Sequence, residues 1–198
     1  IYDSNSLDSL VSKYIDNGSQ ALLLVRLEDK HGNEIYQNSY KNNKLVPDHN
    51  INESTWFRIW SMSKIVTISI TMDLVEDGLL NLNDPVSKYI PELNNLKVAL
   101  SNNNQALTSY AQALGNDKSE LQDPCPLNLV ESNSEMTVLQ LINHEAGFYY
   151  STTGIKCLDN ALDSKNLAAS KNSNELIKKL SELPLIDHPG NKDFYGLN

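Results

Sequence analysis

Ser61 and Lys64 are the residues of this chain whose types and spacing most suggest chemistry. They stand three apart in Ser61-Met62-Ser63-Lys64, where a long apolar stretch begins, and residues three apart share one face of a helix. A serine hydroxyl at its ordinary pKa is a weak nucleophile and needs a base beside it. A lysine whose pKa is depressed in an apolar, closed site can help to take that proton. The positive end of a helix also favours the negative charge that develops during attack. An ammonium in a first helical turn opposes the helix dipole, so Lys64 needs a local reason to be there. The Ser-x-x-Lys pattern is short enough to arise by chance, and its context has to decide.

The element that must carry the pair is a helix over 61–77, closed by Gly78. Its apolar residues Met62, Ile65, Val66, Ile68, Ile70, Met72, Leu74 and Val75 run around most of the circumference. Such a helix is expected to be buried on several sides. Upstream, residues 4–16 read as an amphipathic helix with Leu7, Leu10, Val11, Tyr14 and Ile15 on one broad face, stopped by Asn17-Gly18. An apolar run from Ala21 to Leu27, the turn signal His31-Gly32-Asn33 and a return over 34–40 predict a β-hairpin. Downstream, Asp84-Pro85 reads as cap and first residue of a short helix that Pro91 ends. Residues 101–134, rich in Asn, Ser and Asp, read as a long excursion with one helical piece near Ser109 to Leu114. Thr137 and Gln140 form a capping-box pattern opening a helix to about Asn143, and Asn172 with Glu175 predicts another over 172–182.

Composition bounds the partners. The 198 residues are enough for one sizeable core. With 16 Lys and Arg against 25 Asp and Glu, the formal charge is -9. That field disfavours a general role in gripping nucleic acid or docking on an anionic membrane. No run reaches the length of a transmembrane helix. The two cysteines, Cys125 and Cys157, fit a single disulfide or two free thiols. His49, His144 and His188 are too scattered to form a metal site, and no phosphate-binding glycine loop is present; neither metal nor cofactor is expected. The first residue is Ile1, which fits a mature product that has lost a leader. Asn17-Gly18-Ser19 and Asn52-Glu53-Ser54 match the glycosylation pattern. These features point to an exported protein, periplasmic or secreted.

Wider wording around Ser61 carries a resemblance. Phe57-Arg58-Ile59-Trp60-Ser61-Met62-Ser63-Lys64 resembles the nucleophile segment of the serine beta-lactamase-related family, which includes class C beta-lactamases, D-alanyl-D-alanine carboxypeptidases and beta-lactamase-fold esterases. Leu74 to Val86, with Gly78-Leu79 and Asp84-Pro85, is similar to the passage that follows it there. Met136 to Phe148 resembles the family's Leu-Leu-x-His-Thr-Ser-Gly-Leu segment, with Glu145-Ala146 in place of Thr-Ser. Pro189 to Gly196 is similar to the Pro-Gly segment that ends in the family's second-motif tyrosine. Leu197 stands where class C beta-lactamases carry Asn, so the pattern is closer to the esterase and peptidase branches.

The resemblance implies an α+β, beta-lactamase/transpeptidase-like fold: an antiparallel sheet plus a helical lobe. Residues 1–55 would be a helix and hairpin of the α/β lobe, and residues 56–198 a mostly helical lobe carrying both motifs. It implies acyl-enzyme chemistry, with Ser61 as nucleophile, Lys64 as proton relay and Tyr195 as base or shuttle to the leaving group. A nearby ammonium favours the phenolate such a tyrosine needs. His144 is expected to anchor its loop. The substrate would be an ester, a D-amino-acid peptide or amide, or a beta-lactam. The family's third motif and later sheet strands are missing from this stretch, which implies a second chain or a C-terminal segment completing the sheet. The alternative is a degenerate, non-catalytic module that binds peptidoglycan-like peptides or a partner protein.

Overall fold

In the computed structural model, which describes residues 3–108 and 123–197, the chain divides into two compact units meeting at Met62 and Ser63. The expected helix near Ser109 to Leu114 lies outside the described residues.

The first unit is built on the amphipathic start of the chain. Helix α1 (Ser4–Asp16) is capped by Asp3, whose carboxylate accepts from the Asn5 N–H. Val11 and Ile15 are its buried residues, whereas Leu10 and Tyr14 face outward, so the apolar face is narrower than the pattern predicts. Strands β1 (Leu22–Glu28) and β2 (Glu34–Lys41) form the expected antiparallel hairpin, with Leu22 opposite Lys41 and Leu27 opposite Tyr36. Asp29 closes the turn by accepting from the His31 and Asn33 N–H groups. A lone two-stranded hairpin is marginal in water. Here Asp8 of α1 ties the helix to β2 by accepting from Tyr36, Tyr40 and Asn38. The Tyr36 and Tyr40 hydrogen bonds hold the Asp8 carboxyl below its usual range. A 3-10 turn, Trp60–Met62, ends the unit.

The second unit opens with α2 (Ser63–Glu76), stopped by Gly78 at φ 68° as expected. None of its residues is buried. This corrects the expectation of burial on several sides: the apolar circumference is there, but the described residues cover only one stripe of it. After α2, a 3-10 turn (Val86–Lys88) replaces the short helix, and Asp84 does not cap it. Its carboxylate instead accepts from the Lys88 ammonium and the Tyr89 hydroxyl, both at 2.6 Å.

Two strands that the pattern does not announce, β3 (Lys97–Leu100) and β4 (Asn128–Glu131), pair antiparallel. Backbone bonds between Lys97, Ala99 and Leu185 add the 185 segment to the other edge of β3. Helix α3 (Val138–Ile142) has the full capping box: Gln140 N–H donates to the Thr137 hydroxyl and Thr137 N–H to the Gln140 side chain. Helices α4 (Lys156–Lys165) and α5 (Ser173–Ser181) follow. Asn172 caps α5 as expected, while the Glu175 carboxylate reaches back to the Lys171 N–H rather than to Asn172. A disulfide joins Cys125 to Cys157 of α4.

Two apolar clusters make the core. One gathers Val86, Val98, Val138, Ala146 and Phe148; the other gathers Leu107, Tyr149, Leu158, Leu162 and Ile186. Leu180 and Leu197 pack against both. Among the described residues no helix is long and apolar enough to cross a membrane.

The capping box makes a local prediction. Thr137→Ala removes the acceptor for the Gln140 N–H and should lower unfolding stability by about 1 kcal/mol in a denaturant titration. An unchanged midpoint would mean that tertiary packing alone sets the start of α3.

Candidate active site

Helix α2 presents a half-buried stripe of Lys64, Ile68, Thr71 and Val75, spaced as one helical face. Lys64 lies in the first turn. What it meets is set by two further segments of the second unit, 144–150 and 185–196.

These two segments are braced together through their backbones. The Ile186 N–H donates to the Gly147 carbonyl at 2.9 Å, Gly190 to Glu145 at 2.8 Å and Phe194 to His144 at 2.7 Å. The approach is close enough to require glycine. At Gly147, with φ 86°, a Cβ would lie 2.5 Å from the Asp187 carbonyl oxygen. At Gly196 it would collide with the Phe148 carbonyl. The buried Asp187 carboxylate steadies the return by accepting from the Thr108 hydroxyl at 2.8 Å and the Asn191 amide at 3.1 Å. His144 takes a left-handed φ of 61°, a conformation uncommon outside glycine.

The brace delivers an aromatic cluster to Lys64. Tyr195 packs obliquely on His144, with ring centroids 4.7 Å apart, and lies 5.9 Å from the Tyr150 ring. The Lys64 ammonium donates to the Tyr150 hydroxyl at 3.1 Å. It also sits 5.1 Å from the centre of the Tyr195 ring and 5.8 Å from that of Tyr150, within the range of cation–π attraction. This is the local reason that Lys64 needs against the helix dipole.

The electrostatics follow from that geometry. The hydrogen bond to Tyr150 raises the Lys64 pKa above the ordinary lysine range, Tyr195 adds to it, and partial burial opposes it. The ammonium has partners here, a hydroxyl acceptor and two aromatic rings. His144 moves the other way. Burial, and then the charge of Lys64, pushes its imidazole below the ordinary histidine range.

Lys64 and Tyr195 are thus brought together, while Ser61 belongs to the other compact unit. Ser61 is exposed in the 3-10 turn Trp60–Met62, from which the chain enters α2 at Ser63. Trp60, just before it, has φ 46°. A left-handed non-glycine residue costs of order 1–3 kcal/mol and marks a constrained position. Tyr150 is the residue that sequence reasoning missed. Its place three residues after Gly147 is the only signal, because its partner Lys64 is 86 residues away in the chain. Among the described residues no three His, Cys, Asp or Glu side chains converge as metal ligands.

The glycine at 196 can be tested directly. Gly196→Ala should cost about 1–3 kcal/mol of stability by overpacking and should shift the Tyr195 ring resonances in an NMR spectrum. A variant with native stability and an unmoved Tyr195 would contradict the brace.

Comparison with known proteins places this geometry. The chain is 26% identical over 166 residues to the acyltransferase calJ of Penicillium decumbens, matching 83% of this chain and 34% of that protein. It therefore spans about a third of the length of such curated relatives. Simvastatin synthase (LovD) from Aspergillus terreus superposes on 99% of this chain and 45% of its own, with a TM-score of 0.60 and 17% identity. EstCE1, a hydrolase with promiscuous acyltransferase activity, does so over 98% and 43%, with a TM-score of 0.60 and 18% identity. These likenesses show an α+β, beta-lactamase/transpeptidase-like fold of small antiparallel sheets and helices. The model of the Beta-lactamase family matches residues 30–196, and the chain belongs to that family.

Proposed function

We propose that this chain carries the nucleophile part of a serine hydrolase working through an acyl-enzyme. The observation that carries the reading is the Lys64 ammonium held between Tyr150 and Tyr195. A charge fixed in that way on the first turn of α2, three residues after a serine, can assist acyl transfer.

The Ser61 oxygen attacks the substrate carbonyl carbon as Tyr195, in its phenolate form, takes the Ser61 proton. The bond to the leaving alkoxide or amine breaks, and Tyr195 returns the proton to it. Water then attacks the acyl-serine by the same route in reverse and releases the acid. Lys64 keeps its own proton throughout. Its role is to supply positive charge beside the Tyr195 ring, which favours the phenolate that the step needs. The Ser61 N–H is one donor for the developing oxyanion. Esters and D-amino-acid peptides or amides are the substrate classes, with beta-lactams a third. The named activities of calJ and EstCE1 favour a variant of the second step in which an acceptor other than water receives the acyl group.

Two further features belong to this reading. Ile65, Val66 and Ile70 of α2 are more than half exposed, and a helix that is apolar all round is normally buried. Further polypeptide, a C-terminal segment or a second chain, is proposed to cover them with the remaining sheet strands and to supply the second oxyanion donor. The Cys125–Cys157 disulfide supports an oxidising location, periplasmic or secreted.

The test uses the complete protein and a fluorophosphonate probe, followed by peptide mapping. A single adduct on Ser61 is expected. Labelling should fall by about 10²-fold or more in Lys64→Ala and Tyr195→Phe. A folded protein that takes no adduct would sink the enzyme reading and favour a non-catalytic module that binds peptides or a partner.

A further inference from the structure

The stripe of α2 that carries Lys64 does not close against the elements opposite. Between them lies a cavity of about 350 Å³. Its walls are mostly aliphatic: Ile68 on α2, Leu80, Val86 and Ile90 from the turns after it, and Leu141 and Ile142 on α3. Lys64 and His144, the residues that meet Tyr150 and Tyr195, also line it, and Thr67, Thr71 and Tyr89 add hydroxyls. The cavity is open to solvent on one side, and its volume falls within the range of small-ligand pockets.

Resting on the acyl-enzyme reading, we infer that this cavity takes the acyl chain of the substrate, and that the preferred acyl group is a medium-length aliphatic one. The carbonyl end would lie by Lys64, where an ammonium complements the charge that a carboxylate product carries. The chain would replace empty space along Ile68, Leu141 and Ile142. No carboxylate lines the cavity among the described residues, so the ammonium of a D-amino acid finds no counter-ion there. Burying such a charge against aliphatic walls is costly. An aliphatic acid has no such charge to bury and gains with each methylene that enters. The inference therefore selects aliphatic esters among the proposed substrate classes.

Binding can be read without catalysis. Octanoate added to the complete, methyl-labelled protein should shift the methyl resonances of Ile68, Leu141 and Ile142 in an NMR titration, and acetate should not. Octanoate shifts absent from these methyls, or confined to other sites, would overturn the inference whatever Ser61 does. In protein that forms the Ser61 adduct, kcat/KM for aliphatic p-nitrophenyl esters should rise about three- to fourfold per methylene from acetate to hexanoate. Ile142→Phe narrows the cavity and should lower the octanoate-to-acetate ester rate ratio at least tenfold. A flat chain-length series in labelled protein would reject the acyl pocket and leave the hydrolase reading standing. Octanoate shifts in a protein that never labels would reject the hydrolase and retain the pocket.

Discussion

The backbone brace between residues 144–147 and 186–194 is the constraint on which the rest of the site depends. Its three hydrogen bonds are main-chain to main-chain, so they tie two returns of the chain together whatever side chains those returns carry. The close approach leaves no room for a Cβ at Gly147 or Gly196. Burial then fixes the register: Phe148 and Tyr149 point into the core, and Ile186 packs beside Tyr149. Tyr150 and Tyr195 are what remain on the outer side, facing Lys64. An orphaned buried polar group is costly, and Asp187 avoids that by accepting from Thr108 and Asn191. The same acceptance holds the Pro189-Gly190 turn that leads to Tyr195.

The charge at Lys64 follows from this arrangement. A half-buried ammonium among aromatic rings loses water but gains a hydroxyl acceptor and two π faces. The balance favours the protonated form. A raised lysine pKa is a contribution to folding that is fully present below the unfolded value and fades as pH rises through the folded one. His144 has the opposite sign. Its depressed pKa makes a contribution present above the ordinary histidine value, which is lost as pH falls.

Local physics made part of this legible in the sequence. Thr137 and Gln140 announce α3 because a capping box needs only four residues, and the hairpin is read from a turn signal between apolar runs. Ser61 and Lys64 stand out by spacing, whereas Tyr195 was reached through family resemblance. What the sequence did not disclose depends on distant pairing. β3 and β4 are four residues each and gain their identity from partners far along the chain. Helix α4 has Ile155 at its N-cap position, which offers no capping side chain. Asp84 looks like a cap and instead clasps Lys88 and Tyr89. Helix α2 looks buried because its apolar residues encircle it, yet burial needs a cover that the described residues supply on one stripe only. Tyr150 has only its place after Gly147 to mark it, because its partner Lys64 is 86 residues away.

The central claim is that Lys64 works as a charge held by Tyr150 and Tyr195 rather than as a base. The direct measurement is the pH titration of the Lys64 side chain by heteronuclear NMR, in the complete protein and in Tyr150→Phe. The account predicts a Lys64 pKa above the ordinary lysine range, falling when the Tyr150 hydroxyl is removed. A Lys64 that titrates below that range and does not respond to Tyr150→Phe would contradict it, and would return the role of general base to the lysine.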